Sequence, residues 1–239
     1  MNRHLITKNL LVCLVALLWN FGAWSQNKNS NNNKKTMNPA TAAKESVTKI
    51  KIKTDQGEII VKLYNETPLH RDNFIALVKK GFYDSLLFHR VISNFMIQGG
   101  DPMSKNAQAG AMLGMGGGDM ERIPAEFRPN LFHKKGALAA ARDNNPQKAS
   151  SACQFYIVQG KKYGNNELDM MENQMGSKFS PEARTAYSSL GGTPFLDQNY
   201  TVFGEVIAGL EVIDKIAECP KNAQDRPTTD IRMYMEIIP

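Results

Sequence analysis

Apolar and charged residues alternate from Val47 to Thr54 (VTKIKIKT), and after a turn at Asp55-Gln56-Gly57 a second run follows from Glu58 to Tyr64. Alternation with period two puts every second side chain on one face, so the pair predicts a β-hairpin with one wet face. Thr67-Pro68 then supplies an N-cap residue and a first-turn proline. Phe74, Leu77 and Val78 form an apolar stripe at helical spacing and Gly81 ends it, which predicts a helix. Short strand candidates come next at Leu87–Ile92, Phe95–Gln98, Ala137–Ala141, Gln154–Val158 and Thr201–Ile207. A second helix is predicted over Leu210–Cys219, after Gly209, and a closing strand over Ile231–Ile238. Many short strands with turns between them and only two helices predict a mainly β domain, a closed antiparallel barrel capped by those helices. Residues 161–192 break the strand rhythm. Ser180-Pro181-Glu182 is a helix-start signal there, followed at helical spacing by Ala183, Ala186, Tyr187 and Leu190 and stopped by Gly191-Gly192, which predicts a helical insertion beside the barrel.

A length of 239 residues accommodates one good-sized domain with appendages or two small domains, and we expect one. The first 25 residues carry Arg3 and Lys8, then an apolar run Leu10–Leu18, then small residues at Ala23 and Ser25, the pattern of a cleaved signal peptide with Gln26 as the new N-terminus. An uncleaved membrane anchor is the rival reading, but Asn20 breaks the run short of the ~20 apolar residues that span a bilayer. Cys13 lies inside the apolar run behind bulky Val12, which does not fit a lipid-modified cysteine. Residues 26–46 form an Asn/Lys tract with almost no large apolar side chain, a disordered linker by composition. The expectation is therefore an exported, periplasmic protein whose folded domain spans residues 47–239.

Of the formal charge of +6, two come from the leader and three net from the linker, so the domain is nearly neutral. The basic balance therefore gives no sign of a nucleic-acid groove on the domain. Cys153 and Cys219 remain after cleavage; with one in a predicted strand and one at a helix end, two buried free thiols are expected. The histidines show no paired ligand spacing, so no metal or cofactor is expected. Methionines cluster at Met112, Met115 and Met120 and at Met170, Met171 and Met175; gap-filling packing is the expected role, ahead of Cu(I) binding. The glycines at 114, 116, 117 and 118 lack the continuation a phosphate-binding loop needs and read as a mobile surface loop.

The stretch Leu87–Asp101, LFHRVISNFMIQGGD, places one arginine beside an apolar cluster and ends in a Gly-Gly-Asp turn. Three further stretches follow: IPAEF (Ile123–Phe127), SACQFYIV (Ser151–Val158) and FLDQNYTVFGEV (Phe195–Val206). Together they resemble, in the same order, the signature of the cyclophilins, the peptidyl-prolyl cis/trans isomerases. The resemblance covers about four-fifths of the chain and implies an eight-stranded cyclophilin-like barrel. It also implies rotation of X-Pro amides, with a barrier of ~18–20 kcal/mol that comes from amide resonance. Arg90 would then be the catalytic group, its guanidinium donating to the lone pair that the proline nitrogen regains as the amide twists. One charge-assisted hydrogen bond is worth roughly 1.5–3 kcal/mol, whereas a rate gain on the order of 10⁵ needs about 7. Tighter binding of the transition state than of either ground state must supply the rest.

The resemblance assigns substrate binding to Phe95 and Met96 (apolar wall), Gln98 (substrate backbone), Ala141 and Arg142 (groove floor and main-chain contact), Tyr156 (pocket bottom), Phe195, Leu196 and Tyr200. Phe195 stands where many eukaryotic members have tryptophan, so cyclosporin, the family's inhibitor, is expected to bind more weakly. Tyr200 stands where they have histidine. Tyr156 replaces the usual phenylalanine and costs ~1–3 kcal/mol unless its hydroxyl finds a partner. The expected partners are proline-containing peptides and unfolded or folding proteins, with the protein itself a monomer. A chaperone or assembly factor that holds proline segments with little turnover is the alternative, and an interaction protein acting through the insertion a third reading.

Overall fold

The computed structural model describes residues 47–239. The leader expected over 1–25 and the linker expected over 26–46 lie outside the described residues. Eight strands, β1 (Lys49–Thr54), β2 (Gly57–Leu63), β3 (Leu86–Ile92), β4 (Met96–Gly99), β5 (Ala137–Ala140), β6 (Phe155–Val158), β7 (Val202–Ala208) and β8 (Arg232–Ile238), close into one antiparallel barrel. The order around it is β1-β2-β7-β5-β6-β4-β3-β8, and β8 pairs back onto β1. The β1–β2 hairpin keeps the register its alternation dictates. Ile50, Ile52, Ile59 and Val61 are fully buried, while Lys51 and Lys53 lie outside with Glu236 of β8.

Helices α1 (Pro68–Lys79) and α4 (Leu210–Ala217) turn Phe74, Leu77 and Val78, and Val212, Ile213, Ile216 and Ala217, into the cluster that fills the barrel. Thr67 occupies the N-cap position of α1 but makes no capping hydrogen bond, and its buried Oγ1 has no partner. The cap comes from far away. Glu126, in the IPAEF stretch, accepts from the Leu69 and His70 amides at 3.2 and 3.0 Å and from His70 Nδ1 at 2.7 Å. A carboxylate there satisfies N–H groups that a helix's first turn leaves open, and it opposes the macrodipole.

The insertion holds two helices where the sequence pattern predicts one. α3 (Pro181–Ser189) starts at the expected signal, with the Ser180 hydroxyl accepting from the Ala183 amide. α2 (Asn165–Met175) begins after Gly164, which has no capping side chain, so its start was not legible. The pair forms its own small core of Tyr163, Leu168, Ala183 and Tyr187 with Phe132, Met171 and Phe179. Buried Glu172 ties it together, accepting from Lys178, Arg184 and the Phe179 amide.

Strands β4, β5 and β6 explain why the functional face is outside the barrel. Ile97, Leu138, Ala140, Phe155 and Ile157 point into the barrel core, whereas Met96, Ala137, Ala139, Tyr156 and Val158 form a second apolar cluster with Leu196 and Val202. Both faces are covered, so these runs read as continuously apolar rather than alternating. Cys153 is buried and free as expected, but it sits in a bend just before β6 rather than in the strand. Cys219 is free and only partly buried, because it follows the last turn of α4 at the margin of the core.

Candidate active site

A β-bulge aims the arginine. Phe88 and Val91 both face the barrel core, although strict alternation would send Arg90 inward with Phe88. The β3–β4 register shifts between Phe88 and Arg90, pairing Phe88 with Gly99 and Arg90 with Gln98. The extra residue turns Arg90 to the outside. There it heads a cross-strand row, Arg90–Gln98–Tyr156–Ala139–Val202, and the neighbouring row is Ile92–Met96–Val158.

These rows floor a groove of about 300 Å³ lined by Arg90, Phe95, Met96, Gln98, Ala141, Arg142, Tyr156, Leu196 and Tyr200, with His89, Leu113, Gly114 and Met115 completing it. Nine of the ten residues expected at the site thus meet in one place. Phe195 does not line the groove. It is about half exposed and its ring packs on Phe95, 5.8 Å between centroids, so it supports a residue of the wall.

Arg90 is held loosely. Nη1 lies 3.5 Å from Gln98 Oε1 and Nε 3.9 Å from Asp225 Oδ2, the outer limit of useful contact, so the guanidinium keeps donors for a ligand. Arg142, by contrast, is committed. It donates to the Asn199 and Asp143 carbonyls, and its guanidinium sits 4.6 Å over the Tyr200 ring. That stacking fixes Tyr200 edge-on to Tyr156.

The hydroxyl that makes Tyr156 unusual has a partner, lying 2.9 Å from His133 Nε2. The desolvation cost expected of it is therefore offset. Burial pushes the phenol well above its ordinary range, so it stays protonated.

Hydrogen bonds tie the glycine stretch to Asp101 and Gln154. Asp101, from the Gly-Gly-Asp turn, accepts from the Gly114 and Met103 amides, and Gln154 Nε2 donates to the Gly114 and Gly116 carbonyls at 3.0 and 2.9 Å. Gly116 is required by close approach, since a Cβ there would fall 2.0 Å from Asp101 Oδ1. Met112 and Met115, expected to fill gaps in packing, are instead mostly exposed on this loop, and Met115 forms a lip of the groove. Gln154 also accepts from Gln98 Nε2 at 3.1 Å, so one side chain ties the groove-lining glutamine to the loop.

Sequence reasoning overlooked His89, His133 and Gln154. Gln154 stands inside a quoted motif, whereas nothing local marks His133. His89 is buried beside the groove, and neither ring nitrogen finds a partner of good hydrogen-bond geometry. Burial first of all, with Arg90 and Arg226 adding to it against the pull of Asp101 and the Leu87 backbone, brings its pKa down to about 4.

A closed antiparallel barrel that carries on its outer wall an open groove, with an apolar floor and a loosely paired arginine beside it, is the architecture of a binding or catalytic barrel domain. Residues 49–236 match the model of the family described as cyclophilin type peptidyl-prolyl cis-trans isomerase/CLD. The chain belongs to that family, the cyclophilin-type peptidyl-prolyl cis-trans isomerases.

A Staphylococcus aureus (strain USA300) protein that carries the name peptidyl-prolyl cis-trans isomerase is 38% identical over 186 residues, 77% of this chain and 87% of that one. A Streptococcus pyogenes serotype M6 protein named as a bifunctional phosphatase/peptidyl-prolyl cis-trans isomerase is 38% identical over 190 residues, and the match spans only 37% of its length. Among solved structures, a Cryptosporidium parvum cyclophilin type isomerase superposes with a TM-score of 0.61 at 23% identity, covering 81% of this chain and 99% of that one. The same protein in the presence of the dipeptide Ala-Pro superposes with a TM-score of 0.57. At this identity the likeness shows the fold.

Proposed function

We propose that the groove binds X-Pro segments of exported proteins, with Arg90 as the catalytic residue and Tyr156, Met96, Phe95 and Leu196 as the pocket for the proline ring. The observation that carries the reading is the row from Arg90 through Gln98 to Tyr156, which sets a loosely paired guanidinium beside a buried apolar floor. A proline seated on Tyr156 brings its nitrogen toward Arg90, while Gln98 serves the peptide backbone. As the amide twists and the nitrogen regains its lone pair, the guanidinium gains a hydrogen bond that neither planar ground state offers. That difference is what lowers a barrier. Uncatalysed isomerisation takes tens to hundreds of seconds, slow enough to limit folding, so unfolded and folding chains are the clients. Phe195 brings no indole N–H, which supports weakened cyclosporin binding.

The test is isomerisation of a short X-Pro peptide by exchange NMR. Wild type should accelerate it, and Arg90→Ala should lose about 10- to 150-fold in kcat/KM, the worth of one charge-assisted hydrogen bond. Arg90→Lys should recover part of the loss, since a point charge replaces the planar fork. Peptide binding without acceleration by wild type would overturn catalysis and leave the proline-holding chaperone.

A further inference from the structure

The helical insertion reaches the pocket floor through a chain of buried hydrogen bonds. Tyr187, on α3, donates its hydroxyl to Asp197 Oδ2 at 2.6 Å. Asp197 Oδ1 accepts from the His133 amide at 2.9 Å and from His133 Nδ1 at 2.8 Å. The other ring nitrogen of His133, Nε2, lies 2.9 Å from the Tyr156 hydroxyl, so the imidazole bridges the Asp197 carboxyl group and the Tyr156 hydroxyl. The Tyr156 and His133 rings are nearly parallel, 12° apart with centroids 6.0 Å from each other. Tyr187, His133 and Tyr156 are each no more than 5% exposed and Asp197 is 8% exposed, so water does not compete for these bonds.

The backbone is built around the same contact. The Thr193 amide donates to the His133 carbonyl at 2.8 Å, and Lys135 and Gly192 carry the chain from the insertion back to the barrel through the bonds Lys135 N–H to Gly191 O and Gly192 N–H to Lys161 O. A Cβ at Gly192 would fall 2.3 Å from the His133 carbonyl and 2.6 Å from the Tyr187 ring, so only glycine lets α3 sit this close.

We infer that the 161–192 insertion is a positioning device for the active site: Tyr187, acting through Asp197 and His133, holds the Tyr156 ring that forms the floor of the proline pocket. Tyr187 and His133 are positioning residues, since neither lines the groove. A phenylalanine at position 156 would be held by packing alone. The hydroxyl gives the insertion a handle on the floor, and a ring fixed in one place presents the proline to Arg90 in one place. The inference rests on Tyr156 being the pocket floor, as proposed above.

The test is a double-mutant cycle of Tyr187→Phe and Tyr156→Phe, each of which removes one hydroxyl and keeps the ring, with kcat and KM measured on an X-Pro peptide and the Tyr156 ring-flip rate measured by NMR. Tyr187→Phe should lower kcat/KM about 3- to 10-fold in the wild-type background, the worth of one hydrogen bond, and have almost no effect on kcat/KM in the Tyr156→Phe background. It should also speed ring flipping of Tyr156. An equal loss in both backgrounds, or none in the first, overturns the inference, because a merely structural Tyr187 would act whether or not residue 156 has a hydroxyl. Ring flipping reads the relay without turnover. If wild type proves inactive, faster flipping in Tyr187→Phe sustains the relay while the isomerase reading falls, and an unchanged flip rate sinks the relay on its own.

Discussion

At the scale of single residues, the site is built from side chains whose neighbours decide what they can do. Arg90 keeps donors open because its two partners lie too far away to occupy it, whereas Arg142, with the same guanidinium, is committed to backbone carbonyls and to the face of Tyr200. His89 shows the opposite case, a titratable ring kept neutral by burial. A histidine that stays neutral in the fold yet protonates freely when unfolded stabilises the fold above its unfolded value near 6.5. That contribution is lost as the pH falls from there toward the folded value of about 4. The loss is at most about 3 kcal/mol. Urea denaturation at several pH values between 7 and 4 should show stability falling across this window in wild type and falling less in His89→Leu. Parallel pH profiles for the two proteins would refute the assignment. His70, also lowered by burial, adds a loss of the same sign in both, so the comparison isolates His89.

At the scale of elements, the same strands serve two faces and the helices depend on distant side chains. The outer face of β5 and β6 was legible from pattern only as apolar sequence, and the family resemblance alone marked it as a groove, since ALAA carries no polar position and FYIV only the Tyr156 hydroxyl. The bulge between Phe88 and Arg90 was equally hidden, because an extra residue in a strand alters parity without altering composition. Helix α1 was found from Thr67-Pro68, yet its cap is Glu126, more than fifty residues on. Glu126→Ala should therefore cost about 1–3 kcal/mol, the penalty of leaving buried donors unpaired. The Leu69 and His70 amides should exchange with solvent faster than in wild type. Unchanged exchange at those two amides would show that the helix end is capped by something else.

At the scale of the whole molecule, closure of the barrel through β1 and β8 pairs Lys49 with Ile238, so the first and last strands of the domain are neighbours and every strand has two partners. Among the described residues the barrel leaves no strand edge open to another chain. Such a fold suits the unfolded clients proposed above, because no open barrel edge competes with the groove for them. The proposed export adds a requirement at this scale. If residues 1–25 are a signal, protein isolated from the extracytoplasmic fraction should begin at Gln26 by N-terminal sequencing. An intact Met1 on protein from that fraction would refute cleavage and favour the anchor.

The sequence by itself determined, through period and composition, strands within a residue or two of their observed bounds and both barrel helices, and, through the family resemblance of its motifs, the residues that meet with Arg90 in the groove. Local pattern suffices for the strands and helices because side-chain direction repeats every two residues in a strand and about every three to four in a helix. Tertiary structure decided which face of those strands became the groove. It also decided that Glu126 caps α1, that the glycine loop is hydrogen-bonded to Asp101 and Gln154, and that Tyr156 meets His133 and, through Asp197, the insertion. Each of these is a partnership between residues 10 to 64 positions apart, and a hydrogen bond depends on distance and direction in space, which only the closed barrel sets.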